Sequence, residues 1–141
     1  EPFAAEARVE AAPARARRRL RLLLAEDSLA TREVLRVLLE QEGYQVRVAG
    51  DGAEALEAVQ REVPDVVVSD FNMPRCDGPA LARALRASPA TARLPIVLLS
   101  SRADDESKAI GAASGADAYL IKAQFNAALL RATLARLGVE E

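Results

Sequence analysis

The sequence contains a short apolar run that ends on a carboxylate and is followed at once by turn-forming residues. Residues 66–68 are all valine, and three consecutive β-branched residues predict a strand buried on both faces, as in a parallel sheet. The strand ends at Asp70, and Pro74 and Gly78 then turn the chain away. Asp70 is therefore predicted at the carboxyl end of a buried strand, where α/β proteins place their ligands. Taken alone, a cap of the following turn is the simpler interpretation of this residue.

The pattern of an apolar run followed by a helical segment recurs along the chain from residue 20. Strands are predicted over residues 20–25, 44–49, 65–70, 94–99 and 118–121. Helices are predicted to start after Ser28 and Asp51, at Pro79, near residue 105 and near Gln124, the last one running to Leu137. Alternating strands and helices with short connections predict an α/β, flavodoxin-like, doubly wound fold with a five-stranded parallel sheet, order 2-1-3-4-5, and five helices.

The side chains of two helices are expected to pack in different ways. In the first helix, Val34, Leu35, Leu38 and Leu39 form one apolar stripe and are predicted to face the sheet. The fourth helix, around residues 105–114, consists largely of small residues and is predicted to be the least rigidly packed.

Composition narrows the range of functions. The 141 residues fit one domain, and 50% hydrophobic but only 4% aromatic residues predict an aliphatic core. The net charge of -2 argues against nucleic-acid binding, and no apolar run approaches the length of a membrane span. The sequence has no histidine, which excludes catalysis by a histidine of this chain. A single cysteine, Cys76, fits a reducing cytoplasm and excludes a disulfide framework.

Residues 1–19 differ in composition from the rest of the chain. They are mainly Ala, Arg, Glu and Pro, with several arginines near the end and too few large apolar residues to build a core. We expect residues 1–19 to be an interdomain linker or N-terminal extension, and residues 20–138 to form the folded domain.

Polar and charged side chains follow four of the predicted strands. Glu26 and Asp27 follow the first, Asp70 ends the third, Ser100 follows the fourth and Lys122 follows the fifth. The carboxyl ends of parallel strands open on the same edge of the sheet, so these side chains are expected to meet in one cleft. Two carboxylates about 4 Å apart repel by roughly 4 kcal/mol at an effective dielectric of about 20, which a lysine and a hard divalent cation would offset. The alternative is a set of independent strand-end polar residues.

The polar strand ends and their neighbours closely resemble the receiver domain of two-component response regulators. The resemblance covers about residues 20–138 and is carried by Glu26-Asp27 after three leucines, Asp70-Phe71-Asn72-Met73-Pro74 with Asp77-Gly78, Ser100 after Val97-Leu98-Leu99, and Gly115-Ala116-Asp117-Ala118-Tyr119-Leu120-Ile121-Lys122. It implies a phospho-accepting signalling domain rather than an enzyme.

The resemblance implies a metal site around the phosphoacceptor. Asp70 would be the residue phosphorylated by a histidine kinase. Asp27, Asp70 and the backbone carbonyl of Asn72 would hold Mg²⁺, with Glu26 bonded to its water shell.

The resemblance also implies a switch. Ser100 and Lys122 would contact the phosphoryl oxygens, and a movement of Ser100 toward them would vacate space for Tyr119. Phosphorylation would then alter the face made by the fourth helix, fifth strand and fifth helix. The alternative for Tyr119 is an ordinary half-buried strand residue.

The position after Lys122 departs from the usual family pattern. Ala123 stands where the family generally has proline after a cis bond, and because a cis bond before alanine costs about 2.5–4 kcal/mol, a trans bond is expected. The run Lys122-Ala123-Gln124-Phe125 resembles receivers fused to the C-terminus of chemotaxis-type histidine kinases. This implies a cytoplasmic, chemotaxis-like phosphorelay whose partner is a histidine kinase phosphotransfer domain, in trans or in the same parent chain, without nucleic-acid or membrane contacts.

Two alternative functions remain open. A degenerate receiver would serve only as a protein-binding module, although all acceptor-site residues are present. An Asp-nucleophile phosphohydrolase on a similar fold is the other; enzymes of the dehalogenase fold have a second aspartate two residues after the nucleophile, where this chain has Asn72.

Overall fold

The strands form a single parallel sheet. The computed structural model describes residues 19–139. Its strands are β1 (Arg21–Ala25), β2 (Gln45–Ala49), β3 (Val66–Asp70), β4 (Ile96–Ser100) and β5 (Ala118–Ile121). Their order in the sheet is β2-β1-β3-β4-β5, and every pairing is parallel. The predicted fold class and strand order are confirmed.

The helices begin at side chains that cap free backbone N–H groups. They are α1 (Leu29–Gln41), α2 (Gly52–Arg61), α3 (Gly78–Ala87), α4 (Asp105–Ala113) and α5 (Ala127–Arg136). The caps are Ser28, Asp51, Asp77, Asp104 and Asn126, each accepting a hydrogen bond from a backbone N–H of the first turn. The predicted caps at Ser28 and Asp51 are confirmed.

Apolar side chains cover both faces of the sheet. Successive strand residues point to opposite faces, so Leu23, Val67 and Leu98 pack on the side of α2 and α3, whereas Leu22 and Val68 pack on the side of α1 and α5. Every residue of β3 and β4 is buried. The two central strands are therefore apolar on both faces over most of their length, and their polar residues, Ser69, Asp70 and Ser100, come at the strand ends.

The apolar stripe of α1 is narrower than predicted. Leu39 is fully buried and Leu35 and Leu38 are half-buried, but Val34 is 66% exposed. At about 100° per residue, Val34 lies about 140° around the helix axis from Leu39 and turns away from the sheet. The prediction that Val34 faces the core is wrong.

The last helix begins later than predicted. Residues Lys122–Gln124 form a 3₁₀ turn, and α5 starts after its cap, Asn126. The short Asn126 amide accepts a hydrogen bond from a first-turn N–H at 2.8 Å, and this local bond sets the start of the helix. The Lys122–Ala123 bond is trans, as expected.

Helix α4 rests on small side chains. Its buried residues are Ser107 and Gly111, and its largest apolar residue, Ile110, is 43% exposed.

The predicted extension over residues 1–19 lies, apart from Arg19, outside the described residues. Within residues 19–139 no helix has the length and apolar character needed to cross a membrane.

Candidate functional site

The register of the sheet aligns the polar strand ends. Asp70 pairs with Leu99, and Ser100 pairs with Ile121, so β3, β4 and β5 end at similar levels. Glu26, directly after β1, is anchored at this edge because its backbone N–H donates to the last carbonyl of β2 at 3.0 Å. The residues predicted at separate strand ends therefore share one edge.

Three carboxylates meet at this edge. Glu26, Asp27 and Asp70 each contribute an oxygen, and these three atoms lie within 4.8 Å of one another. Glu26 and Asp70 are buried, whereas Asp27 is exposed. Like charges in a buried place disfavour ionisation unless a cation is near. The donor set is made of hard oxygens and has one side open to solvent, which suits a hard divalent cation.

Lys122 bridges the two buried acids. Its Nζ donates to Glu26 Oε1 at 2.9 Å and lies 3.2 Å from Asp70 Oδ1. The other Glu26 oxygen accepts a hydrogen bond from the Ser28 backbone N–H at 3.1 Å, at the start of α1. Since three carboxylates face one ammonium group, the cluster keeps an excess of negative charge.

The pKa values of Asp70 and Lys122 are both raised, but through different causes. Burial raises the pKa of Asp70 to about 6; the Glu26 carboxylate adds to the rise and Lys122 opposes it. Burial lowers the pKa of Lys122, but the hydrogen bond to Glu26 and the nearby carboxylate charges outweigh it and leave that pKa above its ordinary value. Lys122 is thus a cation throughout the neutral range, while Asp70 carries a charge that an added cation would stabilise.

Ser100 and Asn72 lie at the same edge of the sheet. Ser100 is fully buried at the end of β4, and its Oγ accepts a hydrogen bond from the Arg102 backbone N–H at 3.0 Å. Asn72, two residues after Asp70, is exposed at the start of the loop between β3 and α3. The structure thus joins four of the predicted residues in one cluster and places these two beside it.

Tyr119 connects the sheet edge with α4. Its ring packs edge-on against Phe71, the residue after Asp70, with 5.9 Å between the ring centroids. Its hydroxyl donates to the Arg102 carbonyl at 2.7 Å. Gly111 of α4 lies against the same ring, since a Cβ at this position would be 2.9 Å from Tyr119 Cδ2. Tyr119 therefore contacts the residue beside Asp70, the loop after β4 and the helix above it.

Sequence reasoning missed two participants in this arrangement. Arg102 contributes its backbone N–H to Ser100 and its backbone carbonyl to Tyr119. Because these are backbone groups, the type of residue at position 102 does not indicate the contacts. Gly111 does leave one, because an isolated glycine within a helical segment points to a close approach by another group.

A doubly wound sheet with three acids and a lysine at its carboxyl edge fits the receiver type of α/β fold. The chain belongs to the response regulator receiver domain family, whose sequence pattern it matches over residues 22–135. Receiver domains are signalling domains of two-component systems. The family predicted from the sequence motifs is confirmed.

Two relatives show how the matched part compares with longer proteins. The gliding motility regulatory protein of Myxococcus xanthus is 42% identical over 122 residues, which are 86% of this chain and 16% of that protein. The DNA-binding response regulator MtrA of Mycobacterium tuberculosis is 38% identical over 104 residues, 74% of this chain and 44% of the relative. The chain thus spans less than half the length of either. That this chain makes no nucleic-acid contact remains a prediction.

Two solved structures resemble the chain over most of its length. The chemotaxis response regulator CheY4 of Vibrio cholerae is 35% identical, with a TM-score of 0.77 over 85% of this chain and 99% of that one. The receiver domain of the sensor histidine kinase PA1611 of Pseudomonas aeruginosa is 28% identical, with a TM-score of 0.78 over 86% and 99%. The latter holds a magnesium ion in its active site cleft.

Proposed function

We propose that Asp70 accepts a phosphoryl group from the phosphohistidine of a histidine kinase phosphotransfer domain. The observation that carries this proposal is the sharing of Lys122 by Asp70 and Glu26, at 3.2 and 2.9 Å. Phosphoryl transfer needs a positioned nucleophile and positive charge around the transferred group, and this cluster offers the carboxylate and the first cation.

Mg²⁺ is the cofactor that fits the donor set. Asp27, Asp70 and the Asn72 carbonyl would hold the ion, with Glu26 bonded to its water shell. Three carboxylate oxygens lie within 4.8 Å of one another. Those of Asp27 and Asp70 are the hard ligands that this ion prefers, and the exposed Asp27 leaves room for the waters that the ion retains, one of which Glu26 would bond. When bound, the ion supplies charge neutralisation for the transferred group.

The chain's own groups carry out the transfer. An Asp70 oxygen attacks phosphorus in line with the imidazole leaving group; the P–N bond breaks, its electron pair stays on the imidazole nitrogen, and an acyl phosphate forms. Lys122 Nζ, already beside Asp70, pairs with a phosphoryl oxygen. Ser100 Oγ turns from the Arg102 N–H to donate to another. The phosphohistidine belongs to another domain or polypeptide, because this sequence has no histidine.

The signal leaves the site through Tyr119. A shift of Ser100 would break the hydrogen bond that its Oγ accepts from the Arg102 N–H. The Arg102 carbonyl in turn accepts a hydrogen bond from the Tyr119 hydroxyl. Repositioning of this loop therefore alters the contact between Tyr119 and α4. The partner reads the face made by α4, β5 and α5.

We infer that this domain acts in a cytoplasmic, chemotaxis-like phosphorelay, in which it is phosphorylated by a histidine kinase of the same parent chain or of another polypeptide. Two observations support this assignment: the likeness to a chemotaxis regulator and to the receiver of a sensor histidine kinase, and the Lys122-Ala123-Gln124-Phe125 run.

The test is incubation of the protein with a small phosphodonor, such as acetyl phosphate, and Mg²⁺, followed by intact-protein mass spectrometry. One added phosphoryl group that hydroxylamine removes is the expected result, and Asp70→Asn should abolish it. Asp77→Asn is the matched control, because it alters a carboxylate in the same loop and keeps a residue type that caps α3.

The same experiment separates the alternatives. A degenerate receiver would form no adduct, and a phosphohydrolase would release inorganic phosphate over many turnovers. An adduct that persists in Asp70→Asn but disappears in Asp77→Asn would place the acceptor elsewhere.

A further inference from the structure

The loop between β3 and α3 contains a strained turn centred on Arg75. Within residues 19–139, Arg75 is the one non-glycine residue with a positive φ, at 69°. The Cys76 N–H donates to the Pro74 carbonyl at 2.7 Å, so three residues close the turn. A three-residue turn with positive φ at its centre is the rare, strained form of the γ-turn. Such a conformation persists only where its surroundings hold it.

An ion pair to the start of α2 holds the Arg75 side chain. Its Nε and Nη2 both lie 2.8 Å from Asp51 Oδ2. The other Asp51 oxygen is engaged as the cap of α2, accepting from the Glu54 N–H at 2.8 Å. Asp51 is therefore fixed by the helix that it caps, and it is mostly buried while Arg75 is exposed. The ion pair connects a fixed anchor with the tip of the loop.

A close backbone contact seats the loop on the same helix. The Gly52 N–H donates to the Cys76 carbonyl at 3.0 Å. A Cβ on Gly52 would overlap that carbonyl oxygen, so only glycine allows this approach. The tip of the loop is thus held twice, once by charge and once by backbone.

The base of the loop is closed beside Asp70. The Gly78 N–H donates to the Phe71 carbonyl at 3.0 Å, and a Cβ on Gly78 would lie 2.5 Å from the Asp70 carbonyl oxygen. Asn72 lies between this closed base and the strained tip. A loop fixed at both places has little freedom to reorient the Asn72 carbonyl.

We propose that Arg75 is a positioning residue for the metal site. The Arg75–Asp51 ion pair and the Gly52–Cys76 contact together form a latch. It holds the β3–α3 loop in a strained turn so that the Asn72 carbonyl stays turned toward the acidic cluster. This proposal rests on the proposed function, since it assumes that Asn72 is a ligand of Mg²⁺. Loss of the latch would let the turn relax, and the carbonyl would then have to be reordered at each binding event.

Loss of the latch should weaken Mg²⁺ binding without lowering the stability of the protein, because it also relieves the strain of the turn. Arg75→Ala removes the ion pair and leaves the positive φ as unfavourable as it is for arginine, so the turn can relax. The variant should be as stable as the parent protein or more so, yet bind Mg²⁺ less tightly. An exposed ion pair accounts for at most about a five-fold change, so we expect the Mg²⁺ Kd to rise about three- to five-fold. A purely structural role would lower stability and leave the Kd unchanged.

The experiment is a Mg²⁺ titration by isothermal calorimetry of the parent protein, Arg75→Ala, Asp51→Asn and the double variant. Asparagine at residue 51 keeps a good helix cap and loses the charge. The two single variants should raise the Kd equally, and the double variant should raise it no further. Arg131→Gln is the matched control: it breaks an exposed 2.6 Å pair with Glu42 far from the site and should leave the Kd unchanged.

A second measurement does not depend on the metal. In the metal-free protein, the Cys76 and Gly52 amides should exchange hydrogen faster in Arg75→Ala than in the parent, since both amides donate to carbonyls of the latched loop. Equal Mg²⁺ affinity in all variants, additive effects of the two single variants, or unchanged exchange at these amides would each overturn the latch. If the parent protein itself binds no Mg²⁺, the proposed function fails as well, which is a distinct result.

Discussion

The carboxyl edge of the sheet has two halves that are held together in different ways. At β1 and β3, Glu26 and Asp70 are buried and share Lys122 at 2.9 and 3.2 Å. At β4 and β5, α4 buries only Ser107 and Gly111 against the sheet. In the first half, ion pairs with one lysine hold two buried carboxylates in place. In the second half, α4 packs on the sheet through a few small residues.

This difference suits a domain that receives a signal at one place and presents it at another. A binding site needs fixed groups, so that a ligand does not have to order them. A responding element is drawn from the less stable parts of a structure, because it has to change at little energetic cost. Tyr119 joins the halves, since it touches both Phe71 and Gly111.

The largest expected effect concerns charge crowding in the first half. In metal-free protein at pH 7–8, Asp70→Asn should raise the free energy of unfolding by about 1–2 kcal/mol, with allowance for screening by solvent. The folded pKa of Asp70, about 6, lies above the ordinary value of 3.8. Stability from the protonated carboxyl is therefore fully present below about pH 4 and is lost as pH rises to about 6. Urea denaturation from pH 4 to 8 in chelator measures this; a less stable variant at pH 7 would contradict it.

The second half should show the opposite pH dependence. Hydrogen bonds from Arg102 and from the Ser107 N–H hold the pKa of Asp104 well below its usual range. A depressed pKa contributes stability that is present above the ordinary value of 3.8 and is lost as pH falls below it. Asp104→Asn should therefore lower stability at pH 7, with the difference shrinking in acid. The same sign for both variants would remove the contrast between the halves.

The next effect concerns metal binding in the first half. At Mg²⁺ about ten times its Kd, the protein should gain about 1.4 kcal/mol of stability, and Asp27→Ala should lose this gain. Asp105→Ala is the control, because Asp105 is an exposed acid of α4 and should not affect binding. Thermal unfolding with Mg²⁺ or chelator gives the comparison. Equal stabilisation of Asp27→Ala and the parent protein would place the metal site elsewhere.

A smaller effect should cross from the first half to the second. Beryllofluoride, a phosphoryl mimic, should change the free energy of local opening around residues 100–122 by about 1 kcal/mol, roughly five-fold in amide exchange rate. Hydrogen exchange at constant Mg²⁺ measures it, with β2 as an internal reference that should not change. Protection changes confined to the surroundings of Asp27 and Asp70 would show that the signal does not travel through this face.

The outline of the fold and the site follows from local patterns. Three valines before Asp70 predict a central strand, and polar residues at four strand ends predict a shared cleft, because every parallel strand ends at the same edge. The contrast between the halves is partly visible too, since small residues make up much of the sequence of α4.

Contacts between distant residues could not be predicted in this way. The sequence shows a lysine after β5 but not that it bonds Glu26, nor that Arg75 pairs with Asp51. Such partners depend on how loops from different strands meet. Val34 shows a related limit: the helical period was correct, but the width of the buried stripe depends on the neighbouring strands. The sequence does not distinguish Asn126 as the cap of α5, because the preceding residues also favour a helix.

The smallest expected effect tests the contact that joins the halves. Alanine favours a helix over glycine by about 1 kcal/mol, but overpacking costs typically about 1–3 kcal/mol. In Gly111→Ala the new Cβ would lie 2.9 Å from Tyr119 Cδ2 and 3.4 Å from Leu98 Cδ1. The ring edge cannot swing aside as a flexible chain end would, because Phe71 and the Arg102 carbonyl also hold it. We therefore expect Gly111→Ala to lower the free energy of unfolding of the parent protein by about 0.5–1 kcal/mol.

In a Tyr119→Ala background the same substitution should stabilise by a similar amount, since only the helix preference remains. Urea denaturation of the four proteins gives the double-mutant cycle, and an equal effect in both backgrounds would show that α4 does not rest on Tyr119.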